Sequence, residues 1–563
     1  MRKLLPALFL VAMTGCTTSA GTSTVGPKTP TNTTENATAD KGGETSGEAK
    51  QDTEGKQDKP SPAKPLYREE QLAEPAPMDV TVTPLSAAPK GLIEAPKTCA
   101  AFVSRKAAKA PACTTRDEAL DALDKAFSEA AADKRDAQLA GLESCAGLPA
   151  GMARALRAEM APLECGDVIV QPLVDKPPAG IDGAMYATLR GLATAARLAR
   201  TGSAPPKLAR PFERKRVEEF IAGPMKEWMT AQAVAIDALS KEGLKLASYA
   251  RGIAAIEAGM GELRIVEAVR GAPVPDEFAK DPERANIYYA QLDQVLDPRK
   301  ERGRDATLVG MRDLALTGVL RDARIDRARA LLSRLYGGRR IDALDALLVP
   351  PLAKAEPTDV HGRLAMKLPT FYAGVLLPRD GAKNPVVLRA LLERGVPVGH
   401  RIALRDGELS ADVRRLYARG RLEFGRTHLR ALDFDQAAAL LAGIPEGERT
   451  GEDKFLSALV EALRNGPEDA AVMVRNAPVP MLGMGDVKAL DAVAAQKGPL
   501  AGFAAFDAAL VRHITAPIGA DAAYFRDVAG RYRTAASLLT DPNHRKIAED
   551  RAKSADATAA AIR

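Results

Sequence analysis

The sequence predicts an all-α protein, an α-solenoid-like array of helical hairpins behind a disordered N-terminal tether. Three observations predict it. Hydrophobic residues make up 46% of the 563-residue chain but aromatics only 4%, with one Trp. Alanine and leucine must therefore fill the core, which favours close-packed helices over sheets of β-branched and aromatic residues. From Thr115 onward apolar residues recur with helical period, punctuated by Gly and Pro. Before about Pro65 there is almost no large apolar residue beyond the first turns of the chain.

The chain starts Met1-Arg2-Lys3, followed by an apolar run from Leu4 to Met13 and then Thr14-Gly15-Cys16. Two charges, a short apolar stretch and small residues are the n-region, h-region and cleavage site of a secretory signal. The run is shorter than the ~18 residues a spanning helix needs. Met13-Thr14-Gly15-Cys16 resembles the lipobox of bacterial lipoproteins, with Met13 in place of the commoner leucine. The resemblance implies cleavage before Cys16 and lipidation of its thiol. Thr17, a non-aspartate, implies the outer membrane under the sorting rule of some two-membrane bacteria. Residues 1–15 are thus expected to be a lipoprotein signal peptide and 16–66 a lipid-anchored disordered linker.

That linker is mostly Thr, Ser, Gly, Lys, Glu, Asp and Pro. It cannot bury enough surface to offset its ordering entropy. About 50 such residues have a root-mean-square reach of ~35–42 Å. Residues 67–180 are expected to form a Pro-rich arm and a Cys-containing helical subdomain. Val80-Thr81-Val82 in the arm alternates but reads as extended chain. Cys99, Cys113, Cys145 and Cys165 are too widely spaced for a zinc knuckle. In an exported chain they read as disulfides. Of the three possible pairings, Cys99–Cys113 with Cys145–Cys165 is expected, each closing a short loop.

Residues 181–563 are expected to be the helical-repeat body. Thr115 and Glu118 form a candidate capping box, and Leu120, Leu123 and Phe127 share a face. Met225, Met229, Ala233, Ile236 and Leu239 form a second stripe, with Trp228 at its rim. Gly223-Pro224, Gly271-Ala272-Pro273, Gly337-Gly338, Pro350-Pro351 and Asn465-Gly466-Pro467 read as helix stops and starts. Only Val168-Ile169-Val170 looks strand-like. Residues 434–441 align with 325–332, and Asp435, Ala437 and Pro445 recur 33 residues later as Glu468, Ala470 and Pro478. That period, with Phe424-Gly425, Ala437 and Pro445, resembles the tetratricopeptide repeat. The resemblance implies helical hairpins whose small residues let two helices touch.

No zincin, nucleophile-elbow, Walker or dinucleotide motif is present in the sequence. The histidines 361, 400, 428, 513 and 544 have no metal-pair spacing; His428 is expected to be a partly exposed helix residue. No metal or cofactor is expected. Leu482-Gly483-Met484-Gly485-Asp486 reads as a turn with Asp486 capping a helix. Asp342 and Asp345 read as acids at a helix start. Charge is the strongest remaining signal: twelve Lys/Arg against five acids between Arg299 and Arg340. On the helix there, Ile325, Ala328, Leu332 and Leu335 should face inward. Arg321, Arg324, Arg327, Arg334, Arg339 and Arg340 form the candidate surface for an anionic partner. Aromatics are not interleaved there, so nucleic acid is not the expected partner. These features point to an envelope scaffold or assembly protein that binds other envelope proteins, its body in the periplasm or at the cell surface. The alternative is an envelope enzyme acting on cell-wall glycan.

Overall fold

The structure is a computed structural model. It describes residues 85–109, 111, 113–320, 322–335, 339–351, 357–377, 410–429, 431–464, 471–474, 477–480 and 486–562. Cys16, the polar linker, Val80-Thr81-Val82, Gly337-Gly338, Asn465-Gly466-Pro467, His400 and residues 482–485 lie outside that set. The described chain is helical except for a two-stranded antiparallel hairpin, β1 (Ala471–Val474) paired with β2 (Ala477–Pro480). Among the described residues no helix is long and apolar enough to cross a membrane.

The N-terminal part holds α1 (Ala100–Val103), α2 (Arg116–Ser128), α3 (Ala132–Gly141), α4 (Met152–Met160), α5 (Gly166–Asp175) and α6 (Gly183–Ala199). Local chemistry starts α2: the Thr115 side chain accepts from the Glu118 N–H while Glu118 accepts from the Thr115 N–H. The Thr115 and Thr114 N–H groups, both donating to the Glu118 carboxylate, hold it down to about 2. The strand-like Val168-Ile169-Val170 is helical, inside α5. Ile169, Val170 and Val174 are buried, and α5 packs on α6, so tertiary packing overrides the β-branched preference.

The disulfides also differ from expectation. Cys99 pairs with Cys165 and Cys113 with Cys145, with Cα atoms 5.2 and 5.3 Å apart. The consecutive pairing fails because Cys99 sits in a one-turn helix beside α1, and α1 packs against α5, which Cys165 precedes. Upstream, residues 85–96 lie as a strap across α6 and the later helix α8. Arg197 donates to Ser86 O, Arg200 to Ile93 O and Gln232 to Gly91 O, at 2.7, 3.0 and 2.8 Å.

The middle of the chain folds as α7 (Arg214–Phe220), α8 (Lys226–Gly243), α9 (Ser248–Arg270), α10 (Asp276–Ala279) and α11 (Pro282–Leu316). Gly223-Pro224 does not separate two helices. A π-turn over Ile221–Met225 joins α7 to α8, and its wider ring accommodates the missing proline N–H. Met225, Met229, Ile236 and Leu239 are buried as the stripe requires, and half-buried Trp228 donates to Ser203 O at 3.2 Å. α11 starts at Asp281, whose carboxylate accepts from the Glu283 and Arg284 N–H groups ahead of Pro282.

α9 and α11 make the most extensive helix pair, antiparallel and close. Gly252 faces Gly310, and Gly259 faces Gly303. The two glycines on each helix are seven residues apart, so both fall on one face. A Cβ on Gly310 would lie 2.6 Å from Gly252 O, so the backbones meet with no room for side chains.

The remainder comprises α12 (Ala323–Leu335), α13 (Arg339–Ala346), α14 (Val360–Lys367), α15 (Thr370–Leu376), α16 (Ala411–His428), α17 (Ala431–Ala442), α18 (Gly451–Arg464), α19 (Lys488–Ala494), α20 (Ala501–Ile514), α21 (Ala522–Leu538) and α22 (Pro542–Ala561). From α16 to α22 each helix packs chiefly on its sequence neighbours. In the α16–α17 hairpin Gly425 lies against the Phe434 ring, which leaves no space for a Cβ, and Ala437 is fully buried. In the second copy of the 33-residue period the described residues are strand, β1 and β2. Glu468 and Ala470 lie outside the described residues, and Pro478 lies in β2. One apolar core runs from the N-terminal helices to α22; a second lies beneath α7, α8 and the facing ends of α9 and α11.

Candidate functional site

The arginine-rich region is largely internal. Arg324 is buried, with a side chain 6% exposed, and pairs with Glu159 of α4 and with Asp322. It therefore belongs to the interior, not to a partner surface. Arg329 is also buried; it donates to Arg426 O and Thr427 O at 2.8 and 2.7 Å, closing the C-terminal turn of α16, and pairs with Asp345. Arg299 is buried against Glu262. Arg321 lies outside the described residues, and Arg339 and Arg340 open α13.

Of the named arginines, the side chains of Arg324, Arg327 and Arg334 are described, and the last two face outward. Arg327 is half-exposed and pairs with Glu257 at 3.0 Å; Arg334 is 64% exposed and pairs with Glu267 at 3.2 Å. Both acids are on α9. Glu257 is 2% exposed and has a second cation, Arg264, at 3.7 Å. Burial pulls the Arg264 guanidinium below its ordinary value. Arg327 thus neutralises a buried acid, whereas the Arg334–Glu267 pair is a surface contact of the kind worth about 0–1 kcal/mol.

Tyr249 and Tyr372, which no sequence motif marks, join Arg324 around Glu159. Tyr249 Oη and Tyr372 Oη donate to its Oε2 at 2.9 and 3.2 Å, and Arg324 reaches its Oε1. Phe371 stacks on Tyr249 with centroids 3.9 Å apart. The cluster ties α4, α9, α12 and α15 together. Burial, then the Glu159 charge, holds both tyrosine hydroxyls well above their ordinary value. His428 is likewise interior, correcting its expected exposure. It is 2% exposed, stacks on Phe424, and its Nε2 lies 2.8 Å from Val319 O.

Other candidates resolve into structural contacts. Asp342 accepts from Ser333 Oγ at 2.7 Å, and its neighbour Asp345 pairs with Arg329. Asp486 accepts from the Lys488 N–H at 2.9 Å but is not the N-cap it was expected to be: Val487 holds that position of α19, and Asp486 lies one residue before it. Among the described residues no three His, Cys, Asp or Glu side chains gather as a metal site.

Asp507 on α20 is fully buried. Its Oδ1 accepts from the Leu348 N–H at 2.9 Å, and its Oδ2 has no hydrogen-bond partner among the described residues. Burial pushes its carboxyl well above the ordinary carboxylate value, opposed by the Leu348 N–H and Arg426. The folded chain thus holds a proton that the unfolded chain loses near 3.8. Its stabilising contribution is complete below that value and declines as pH rises toward the raised folded value. Asp507→Asn keeps the acceptor and should flatten that decline in urea unfolding measured between about pH 4 and 8. Asp507→Ala strands the Leu348 N–H and should cost about 1–3 kcal/mol.

The sequence signal for these residues was available in part. Glu257 and Asp507 each interrupt an apolar helical face, which marks a buried acid that needs a partner. Nothing local marks Glu159, whose partners lie 90 to 213 residues away. Compared with family models, curated proteins and solved structures, the chain matches none of them.

Proposed function

We propose that this chain is a lipid-anchored protein of the bacterial cell envelope that acts by binding other envelope proteins through its helical body. The leader carries the reading: Met13-Thr14-Gly15-Cys16 closes a charged and apolar signal segment and is followed by a long polar stretch. Two disulfides suit an oxidising compartment. The chain-order packing from α16 to α22 supports a solenoid-like array of hairpins, the architecture of extended binding surfaces. The contact surface is the outward face of α12 and α9, with Arg334 and Arg327 as its cations. The outer membrane is the favoured location. An anchored body searches a shell of tens of ångströms, which raises its effective concentration for partners in the same envelope.

In-situ crosslinking followed by mass spectrometry tests the proposal and should recover a specific envelope protein. Arg334→Glu combined with Arg327→Gln should reduce that yield severalfold; Arg334→Glu alone should leave the unfolding temperature unchanged, whereas Arg327→Gln should lower it because the buried Glu257 then keeps only Arg264. The glutamine spares Glu257 a facing acid. Binding should weaken as salt shortens the screening length below about 8 Å. Equal capture by the double variant rejects the α12 face. A mature N-terminus other than acylated Cys16 rejects the anchor.

A further inference from the structure

The two disulfides are nested: Cys113–Cys145 lies inside the loop closed by Cys99–Cys165. Chain order favours a different outcome. The native pairs span 66 and 32 residues, whereas Cys99 and Cys113 are 14 apart and Cys145 and Cys165 are 20 apart. The probability of loop closure falls as roughly the 3/2 power of length, so Cys99 meets Cys113 about tenfold more often than it meets Cys165 in the unfolded chain. A chain exported from its N-terminus also presents Cys99 and Cys113 to an oxidant before the other two.

A chain oxidised that way cannot correct itself. Five cysteines are present. With four in consecutive disulfides and Cys16 acylated, no thiol remains to start an exchange. The folded state nevertheless requires the nested pairs. Cys99 and Cys165 are buried, while Cys113 and Cys145 are half-buried. The Gly147 N–H donates to Cys113 O at 3.1 Å and the Ala108 N–H to Ala137 O at 2.9 Å, fastening the segment before α2 onto α3 and the loop after it.

We propose that this protein is a substrate of an envelope dithiol disulfide isomerase, which converts Cys99–Cys113 and Cys145–Cys165 into the native pairs. The proposal rests on the export and lipidation reading above. The isomerase thiolate attacks Cys113 Sγ, forming a mixed disulfide and releasing the Cys99 thiolate. Cys99 then attacks Cys165 Sγ, forming Cys99–Cys165 and releasing the Cys145 thiolate. Cys145 attacks Cys113 Sγ in the mixed disulfide, forming Cys113–Cys145 and returning the isomerase thiolate. Each S–S bond formed breaks one, two disulfides are present before and after, and no net oxidant is consumed.

The test uses the full lipidated chain, extracted from membranes, reduced, unfolded and reoxidised by diamide until no free thiol remains. Disulfide-linked peptides are then mapped by mass spectrometry. Consecutive pairs should dominate and persist. Adding a catalytic amount of a purified Cys-x-x-Cys disulfide isomerase should convert them to nested pairs at least about tenfold faster than the same concentration of 2-mercaptoethanol. The Cys113→Ser/Cys145→Ser variant has no competing pairing and should form Cys99–Cys165 without the isomerase. Nested pairs formed directly under diamide, or conversion no faster than with the monothiol, overturn the proposal. Free body thiols or an unacylated Cys16 in protein from its native envelope overturn the export reading instead.

Discussion

Replacing Glu159 by alanine is expected to destabilise the protein by about 3–5 kcal/mol, the cost of breaking a buried ion pair from one side. The substitution strands the Arg324 guanidinium, whose side chain is 6% exposed, with Asp322 as its remaining acid. It also removes the acceptor of two buried hydroxyls, Tyr249 and Tyr372. Removing both charges, as in Glu159→Leu with Arg324→Met, should cost less than Glu159→Ala alone, because hydrophobic replacement of a buried pair is often neutral. Urea midpoints with unchanged slope read both results. A Glu159→Ala loss under about 1 kcal/mol would show that water reaches the cluster. The same tyrosines give a second readout. Their folded values lie above 10, so the folded chain keeps protons that the unfolded chain releases there. Stability should fall as pH rises past 10, and Tyr372→Phe should soften that fall.

The α9–α11 seam carries the other large expected effect. Gly259→Leu should cost at least about 3 kcal/mol, the upper end of ordinary overpacking. A Cβ there would lie 2.5 Å from Gly303 O and 2.6 Å from Thr307 N, and backbone cannot rotate away. Gly303→Ala should cost less, since its obstruction is the Leu263 side chain at 2.7 Å. Gly530→Ala on α21 meets nothing within 4 Å and should raise stability by up to about 1 kcal/mol through helix propensity. Thermal unfolding should order the three variants this way. A tolerated Gly259→Leu would mean that the helices separate without loss of the core.

What the sequence disclosed follows the range of the interactions involved. The helical class, the Thr115–Glu118 box and the Met225 stripe depend on residues within a few turns, and periodicity reports them. The Gly425 contact in the α16–α17 hairpin was also legible, because the hairpin brings near neighbours together. Pairings across the fold were not. Arg329 reaches carbonyls 97 and 98 residues away, and Arg324 an acid 165 residues away. Composition showed the arginine excess but not that several of these arginines close helix ends and neutralise buried acids. The disulfides failed for the same reason, since short loops are favoured only until α1 packs against α5. The seven-residue glycine spacing on α9 and α11 was readable on each helix, but which helix faced which was not.

The strap at residues 85–96 has a mechanical consequence. Among the described residues, a pull from the N-terminal side first meets Ser86, Gly91 and Ile93, held by Arg197, Gln232 and Arg200. These bonds can peel one after another. Peeling stops at Cys99, whose covalent link to Cys165 passes the load to the start of α5. Release of residues 85–99 lengthens the leash by at most about 50 Å. While the strap holds, α6 and α8 take the load through those three side chains; once it is spent the start of α5 takes it, so the strap works as a short extensible fuse ahead of the covalent bridge.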